Sequence, residues 1–403
     1  MATSTSVSRP VLTETEYFSL LINYAVKNRY AVAIWKLPND GVTRLILSKN
    51  PKRLASGTPF EDLEAGFIFA PFKASADRIF LNADLTLSFS DGRLSESSTV
   101  LKHLTEQWFS DNSESSQKAV KELHIGAPLG ECPTDADHFL NLVASAVKDI
   151  YRHVFEKVVI SRTKTIERRP DFDVVSVFQK LRALYSNALI SFVTLPDEGS
   201  WLGASPELLV SVQDKRIFKT TALAGTQAYS QSVNIKSVAW TQKDIEEQAL
   251  VERYIISCFK KIRLREYDEH GPRTVVAGNL IHLKSEFTVD MEATNFPTLG
   301  SVMLQLLHPT SAVCGQPLDT ALEFIHKNEN YDRQFYSGYL GPVNFENRTD
   351  IFVNLRCLQL MQEKLILYAG AGITQDSIPE KEWDETELKF LTLLKVIEQR
   401  SEA

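Results

Sequence analysis

Cysteine is scarce in this 403-residue chain, and the placement of the few that occur is informative. The four cysteines, Cys132, Cys258, Cys314 and Cys357, lie far apart and form no C-x-x-C pair. This argues against a disulfide framework, a zinc site or a thioredoxin-like motif, and the expectation is reduced thiols in a cytoplasmic protein. No run approaches the roughly 18 consecutive apolar residues of a membrane span. Met1 to Pro10 is rich in Ser and Thr without an apolar stretch, so no secretory signal peptide is visible and a disordered tail is expected. Basic stretches of domain size are absent and the net charge is −7, a poor basis for binding nucleic acid. No G-x-G-x-x-G follows a strand and there is no P-loop, so nucleotide chemistry has no anchor. Internal repeats are absent too.

What is present is an ordinary globular composition, 43% hydrophobic and 24% charged, with ample chain for a sizeable core. Length alone allows one large domain or roughly two to three average ones. Apolar residues at helical spacing predict a helix over Glu14 to Asn28, and Ala31 to Trp35 and Gly66 to Phe72 read as short buried strands. Ser90 to Thr99, with Asp91–Gly92, reads as a turn or loop, and Ser110 to Lys118 as a polar linker. Asp135 or Asp137 could cap a helix carrying Phe139, Leu142, Val143 and Ala146. A β-branched strand follows at Lys157 to Ser161, a helix over Asp173 to Tyr185, and a strand over Ala188 to Leu195. Leu208 to Val212 and Arg216 to Thr221 predict a hairpin, and Thr241 to Ile262 a long amphipathic helix. Strands are expected near Thr274 to Val276 and Ile281 to Val289, and a helix after Pro317. Asp350 to Met361 and Lys364 to Ala371 read as paired strands before a last helix near Pro379. Paired strands interrupted by long helices point to an α+β fold of antiparallel sheets flanked by helices.

Four features could carry chemistry. Lys157 opens an apolar strand; it is either a strand-end charge reaching solvent or, if desolvated, a base with a lowered pKa. Gly203-Ala204-Ser205-Pro206-Glu207 reads as a small-residue turn whose Glu is either exposed or presented from a rigid loop. Asp244 and Glu247, and Glu382 and Glu385, are acids three apart on helices. Each pair shares one face, and two such helices facing each other would supply the hard oxygens Mg²⁺ prefers; otherwise they are solvated faces. Ala369-Gly370-Ala371-Gly372-Ile373 ends an apolar strand, packing closely against a helix or offering bare backbone amides to a carboxylate. Together they describe a pocket for a small dianion.

These residues fall within ordered motifs that resemble the chorismate-utilising enzymes, the family of isochorismate, salicylate, anthranilate and aminodeoxychorismate synthases. The motifs are Glu156-Lys-Val-Val-Ile-Ser-Arg162, Gly203-Ala-Ser-Pro-Glu207, Thr221-Ala-Leu-Ala-Gly-Thr226 and Lys243-Asp-Ile-Glu-Glu247. Then come His308-Pro-Thr-Ser-Ala-Val-Cys-Gly315, Asp332-Arg-Gln-Phe-Tyr-Ser-Gly338, Leu355-Arg356, Ala369-Gly-Ala-Gly-Ile373 and Glu382-Trp-Asp-Glu-Thr386. The resemblance runs from Asp135 to Glu398. It implies an anthranilate synthase component I-like fold, with residues 1–12 as a tail, 13–130 as a variable N-terminal part of the same domain, and 131–400 as the chorismate-binding region. Three departures are Gln334 where Gly is commoner, Gln248 where His is common, and Tyr339-Leu340 in place of Pro-Val.

Within the family, Lys157 occupies the place of the general base in water-adding members, Ala224 stands where aminodeoxychorismate synthases carry a nucleophilic Lys, and Ala312 resembles the isochorismate type. The resemblance therefore implies an isochorismate synthase, an isomerase serving menaquinone or catecholate siderophore biosynthesis. The rivals are salicylate synthase, which goes on to eliminate pyruvate, and a non-catalytic chorismate-binding protein. Implied roles are Lys157 as base and Glu207 as acid, and Glu247 and Glu385 as direct Mg²⁺ ligands with Glu382 and Asp244 bound directly or through water. The ring carboxylate of chorismate would sit on that metal. Tyr336, Arg356 and the amides near Gly370 to Gly372 are expected to hold the enolpyruvyl carboxylate, with Gly225, Thr226, His282, Ala312 and Lys389 lining the pocket. For His282 a satisfied strand histidine is the competing assignment. No obligatory protein partner is implied, and a monomer or weak dimer is expected.

Overall fold

Ala31–Lys36 (β1) is buried along its whole length, so both of its faces must be covered. Val32 and Ile34 point to one apolar cluster and Ala31, Ala33 and Trp35 to another, as the two-residue period of a strand requires. That strand sets the architecture. The computed structural model describes residues 12–95, 119–120, 122–127, 135–229, 234–277 and 280–398. Within them the further strands are β2 (Val42–Ser48), β3 (Lys52–Leu54), β4 (Gly66–Ala70), β5 (Arg78–Asn82), β6 (Leu85–Ser90), β7 (Arg93–Leu94) and β8 (Lys157–Glu167). They continue with β9 (Leu189–Leu195), β10 (Gly199–Ser205), β11 (Leu208–Gln213), β12 (Ile217–Ala228), β13 (Asp268–Ala277) and β14 (Leu280–Asp290). The last are β15 (Gly315–Gln316), β16 (Tyr339–Val343), β17 (Arg348–Val353), β18 (Cys357–Leu360) and β19 (Lys364–Ile373).

All pairings are antiparallel. One sheet runs β15-β8-β19-β18-β10-β9-β1-β2-β6-β7, the other β13-β14-β12-β11-β17-β16-β4-β5-β3. The first hundred residues thus give strands to both sheets. Between the sheets lies a core of Trp35, Phe67, Phe69, Trp201, Phe335, Tyr336 and Tyr368. Each such ring removed from water contributes about 1.5–3 kcal/mol. Helices cover the outer faces: α1 (Glu14–Asn28), α2 (Ala136–Tyr151), α3 (Val174–Leu184), α4 (Gln242–Lys261), α5 (Leu299–Leu307), α6 (Leu318–Asn328) and α7 (Pro379–Glu398). The expected α+β architecture of antiparallel sheets flanked by helices is what forms.

Local chemistry explains the boundaries. Thr13 and Glu16 make a capping box on α1, and Thr241 and Asp244 another on α4. Asp135, rather than Asp137, caps α2. Two expectations need correction. Asp350 to Met361 is not one strand: β17 lies in one sheet and β18 in the other, broken at Asn354–Arg356, where Arg356 takes a left-handed φ of 48°. Only β18 pairs with β19. Gly203 to Ser205 is not a turn but the end of β10, and Pro206–Glu207 carries the chain across to β11 in the second sheet. The expected tail at Met1 to Pro10, the linker at Ser110 to Lys118 and Cys132 lie outside the described residues. Cys258, Cys314 and Cys357 are buried free thiols.

Candidate active site

The two chain crossings between the sheets bring Glu207 and Arg356 to one pocket. It is lined by Val159, Pro206, Glu207, Leu223 to Thr226, Glu247, His282, Ala312, Val313, Tyr336, Leu355, Arg356, Tyr368, Ala369, Gly370, Gly372 and Lys389. The cavity they enclose is small, about 70 Å³. Eleven of the fifteen residues singled out from sequence line it: Glu207, Gly225, Thr226, Glu247, His282, Ala312, Tyr336, Arg356, Gly370, Gly372 and Lys389. Lys157, Asp244, Glu382 and Glu385 are outside the lining, directly or nearly behind it.

Three carboxylates and three ammonium groups are hydrogen-bonded in pairs. Lys157 Nζ donates to Glu247 at 2.9 Å, Lys243 Nζ to Glu382 at 2.6 Å, and Lys389 Nζ to Glu385 at 2.6 Å. The helix spacing of the acids puts Glu247 on α4 and Glu382 and Glu385 on α7. Lys157, at the start of β8, is completely buried. Gly372 of β19 pairs with Val159 of β8 and lies against the Lys157–Glu247 pair. A Cβ there would fall on Glu247 Oε1 and 3.0 Å from Lys157 Cε. Burial opposes charge on Glu247, but Lys157 and Lys243 outweigh it and hold its pKa at about 2. Burial acts on Lys243 in the same sense, and Glu385, Glu382 and Glu247 together push its pKa up instead.

Glu207 has the opposite character. Burial raises its pKa to about 7 even though Lys157, Lys389 and Arg356 pull it down. Its carbonyl accepts from Val353 N–H at 3.0 Å, which fixes the crossing. Arg356 is also buried, and burial lowers its pKa to about 10. Among the described residues it makes no ion pair: one nitrogen donates to Thr392 at 3.3 Å, and the other faces His282 Nε2 at 3.5 Å. His282 Nδ1 donates to the Gly225 carbonyl at 2.7 Å, which leaves Nε2 as the lone-pair nitrogen toward Arg356. Burial and the nearby Arg356 depress the His282 pKa to about 3, so the ring is neutral. Its strand bonding is satisfied, yet it also lines the pocket. A buried guanidinium hydrogen-bonded to neutral partners is a receptor for a carboxylate.

Gly225 holds φ +65° at the irregularity where β12 slips against β14, which brings Gly225 and Thr226 into the lining. Tyr336 stacks on Tyr368 at 5.2 Å, and its hydroxyl would lie 2.9 Å from a Cβ at Gly370. Asp244 Oδ2 accepts from Thr241 N–H at 3.1 Å and Oγ1 at 2.7 Å, so that oxygen is spent on the helix cap. Gln334 has φ +48°, a backbone state that favours glycine, and its side chain accepts from Gln359, which bonds Tyr368 behind the pocket. Gln248 is buried and donates to Glu252 at 3.0 Å.

Two partners escaped the sequence reading. Tyr368 lies in an apolar strand that gives no sign of a pocket. Lys243 stands in a quoted motif, but its partner is 139 positions away.

Whether the acids suit a divalent cation can be judged from their free oxygens. Glu382 is almost fully buried, yet its Oε2 makes no hydrogen bond among the described residues. With Glu247 and Glu385 it forms a set of hard oxygen donors, the kind Mg²⁺ takes. Among the described residues no three His, Cys, Asp or Glu side chains gather as a preformed metal cluster, and a lysine is bonded to each of these acids. The donor chemistry fits; the lysines are its competitors.

A buried lysine, a buried carboxyl, an arginine without an ion pair among the described residues and several carboxylates around one small pocket suit an anionic small molecule. The chain belongs to the chorismate binding enzymes, whose family model matches residues 72–398. It is 28% identical to isochorismate synthase EntC of Escherichia coli over 304 residues, 73% of this chain and 76% of that one. Two solved structures share the fold. MenF, the menaquinone-specific isochorismate synthase of Escherichia coli, superposes with a TM-score of 0.71 at 24% identity, covering 94% of this chain and 91% of that one. Anthranilate synthase component I of Streptococcus pneumoniae gives 0.64 at 19%, covering 91% and 92%.

Proposed function

We propose that the protein is an isochorismate synthase that converts chorismate to isochorismate. Water adds at the second ring carbon, the hydroxyl at the fourth leaves as water, and the ring double bonds shift between them. The observation that carries this reading is a fully buried Lys157 near enough to act electrostatically on a buried Glu207, whose pKa burial raises to about 7. Glu207 enters the reaction protonated and gives its proton to the departing hydroxyl. Lys157 takes a proton from the attacking water. To act as a base it must first be neutral and released from Glu247, and Glu247 is one of the acids assigned to the metal. Arg356 offers its fork, and Tyr336 its hydroxyl, to the enolpyruvyl carboxylate; Gly370 and Gly372 leave room beside them. His282, neutral and anchored on Gly225, adds no charge of its own beside Arg356.

Glu247 and Glu385, with Glu382 beside them, would hold Mg²⁺; Asp244, one oxygen already on the helix cap, would act through water. Bound there, Mg²⁺ would neutralise the acids and attract the ring carboxylate of the dianion. Menaquinone or catecholate siderophore synthesis would consume the product. The test is turnover of chorismate with Mg²⁺ in ¹⁸O-labelled water. The expected product is isochorismate carrying one labelled oxygen. Unlabelled isochorismate would mean migration of the original hydroxyl and would overturn the roles given to Lys157 and Glu207.

A further inference from the structure

We infer that Lys243 is a removable counter-ion of the acid cluster, occupying Glu382 until a divalent cation displaces it. The inference rests on the metal assignment above. Lys243 at the start of α4 reaches Glu382 on α7 at 2.6 Å and lies 4.0 Å from Glu385 Oε2. It therefore spans two of the three acids that would ligate the metal. Three lysines against three carboxylates leave the cluster without the surplus negative charge that draws in a cation. A divalent ion placed among them is opposed by the ammonium already there.

Of the three lysines only Lys243 is suited to leave. Lys157 is wholly enclosed, and Lys389 is tied to both Glu385 and the Gly370 carbonyl. Lys243 makes a single hydrogen bond and its side chain is 21% exposed, so it has a path to water. Glu382 points the same way. A carboxylate with 1% exposure, Ser377 near it but one oxygen without an aligned hydrogen bond among the described residues, is costly to keep for folding alone. The spare oxygen is explained if a second cation uses it.

The experiment is Mn²⁺ binding to the full chain without substrate, read by electron paramagnetic resonance of the free ion. Lys243→Met should bind Mn²⁺ about tenfold more tightly than the unaltered protein. Lys243→Arg, which keeps the charge and the bridge between α4 and α7, should bind no more tightly. The Met effect should vanish in a Glu382→Gln background. Unchanged or weaker binding by Lys243→Met, or equal tightening by Lys243→Arg, would overturn the inference while leaving the metal site standing. Absence of Mn²⁺ binding by every variant would overturn the metal assignment as well.

Discussion

Lys157 on β8 and Glu247 on α4 meet at 2.9 Å across a point where Gly372 of β19 has no side chain. The pair and the glycine form one unit: a methyl at Gly372 would land on the Glu247 oxygen. Gly372→Ala should therefore displace Glu247 and Lys157 together. Misplacement of this order costs about 100-fold in rate, so kcat/KM for chorismate should fall by about that factor with the fold retained. Circular dichroism would check the fold. Full activity would show that the site tolerates a shifted pair.

Glu207 gives the pH dependence its sign. A carboxyl raised to about 7 is mostly protonated below that value and mostly ionised above it. An acid must be protonated to donate, so kcat/KM should fall about tenfold per pH unit above about 7. Glu207→Gln should lose about 100- to 10,000-fold and with it that alkaline limb. A limb that survives in the variant would belong to another group.

Lys157→Ala removes the proposed base and leaves Glu247 without its main partner. Turnover should be lost to a similar degree. Titration of Glu247 should also move up from about 2, because Lys157 is the largest of the charges holding it down. Carbon-13 NMR of labelled glutamate would read that shift. An unmoved Glu247 would mean that the pair does not form in solution.

Arg162 fastens the strand that carries Lys157 to the helix that carries Glu382 and Glu385. Its guanidinium stacks 3.5 Å from the centre of the Trp383 ring and donates to Thr386 at 2.7 Å and to Glu387. A desolvated cation–π contact contributes about 2 kcal/mol and a buried hydrogen bond about 1. Arg162→Met should lower unfolding free energy by about 2–3 kcal/mol in a urea titration. A change below about 0.5 kcal/mol would place the stability of α7 elsewhere.

The elements legible in the sequence are those whose signals are local. The helix at Glu14–Asn28 follows from apolar spacing, and the one over Gln242–Lys261 from its amphipathic pattern. The pocket-lining residues were legible because they fall in ordered motifs. What stayed hidden depends on contacts far apart in the chain. Asn354 to Arg356 has neither Gly nor Pro, so nothing local marks the crossing that splits Asp350 to Met361 between two sheets. Ser205 looks like a turn residue, yet it ends a strand, because the neighbouring β9 and β18 hold β10 extended. Strands β2 and β6 went unread although the signal is local: Leu85, Leu87 and Phe89 alternate with Thr86, Ser88 and Ser90, the period of a half-buried strand. Lys157–Glu247 and Lys243–Glu382 join side chains 90 and 139 positions apart, beyond any periodic pattern, whereas Glu385–Lys389 follows helix spacing.

The most direct test is to incubate the purified protein with chorismate, with and without Mg²⁺, and separate the products by liquid chromatography with mass detection. The account predicts an isomer of unchanged mass that forms only with Mg²⁺, and no salicylate or pyruvate. Salicylate and pyruvate would contradict the weight placed on Ala312, and no conversion with Mg²⁺ present would contradict the assignment of an isochorismate synthase itself.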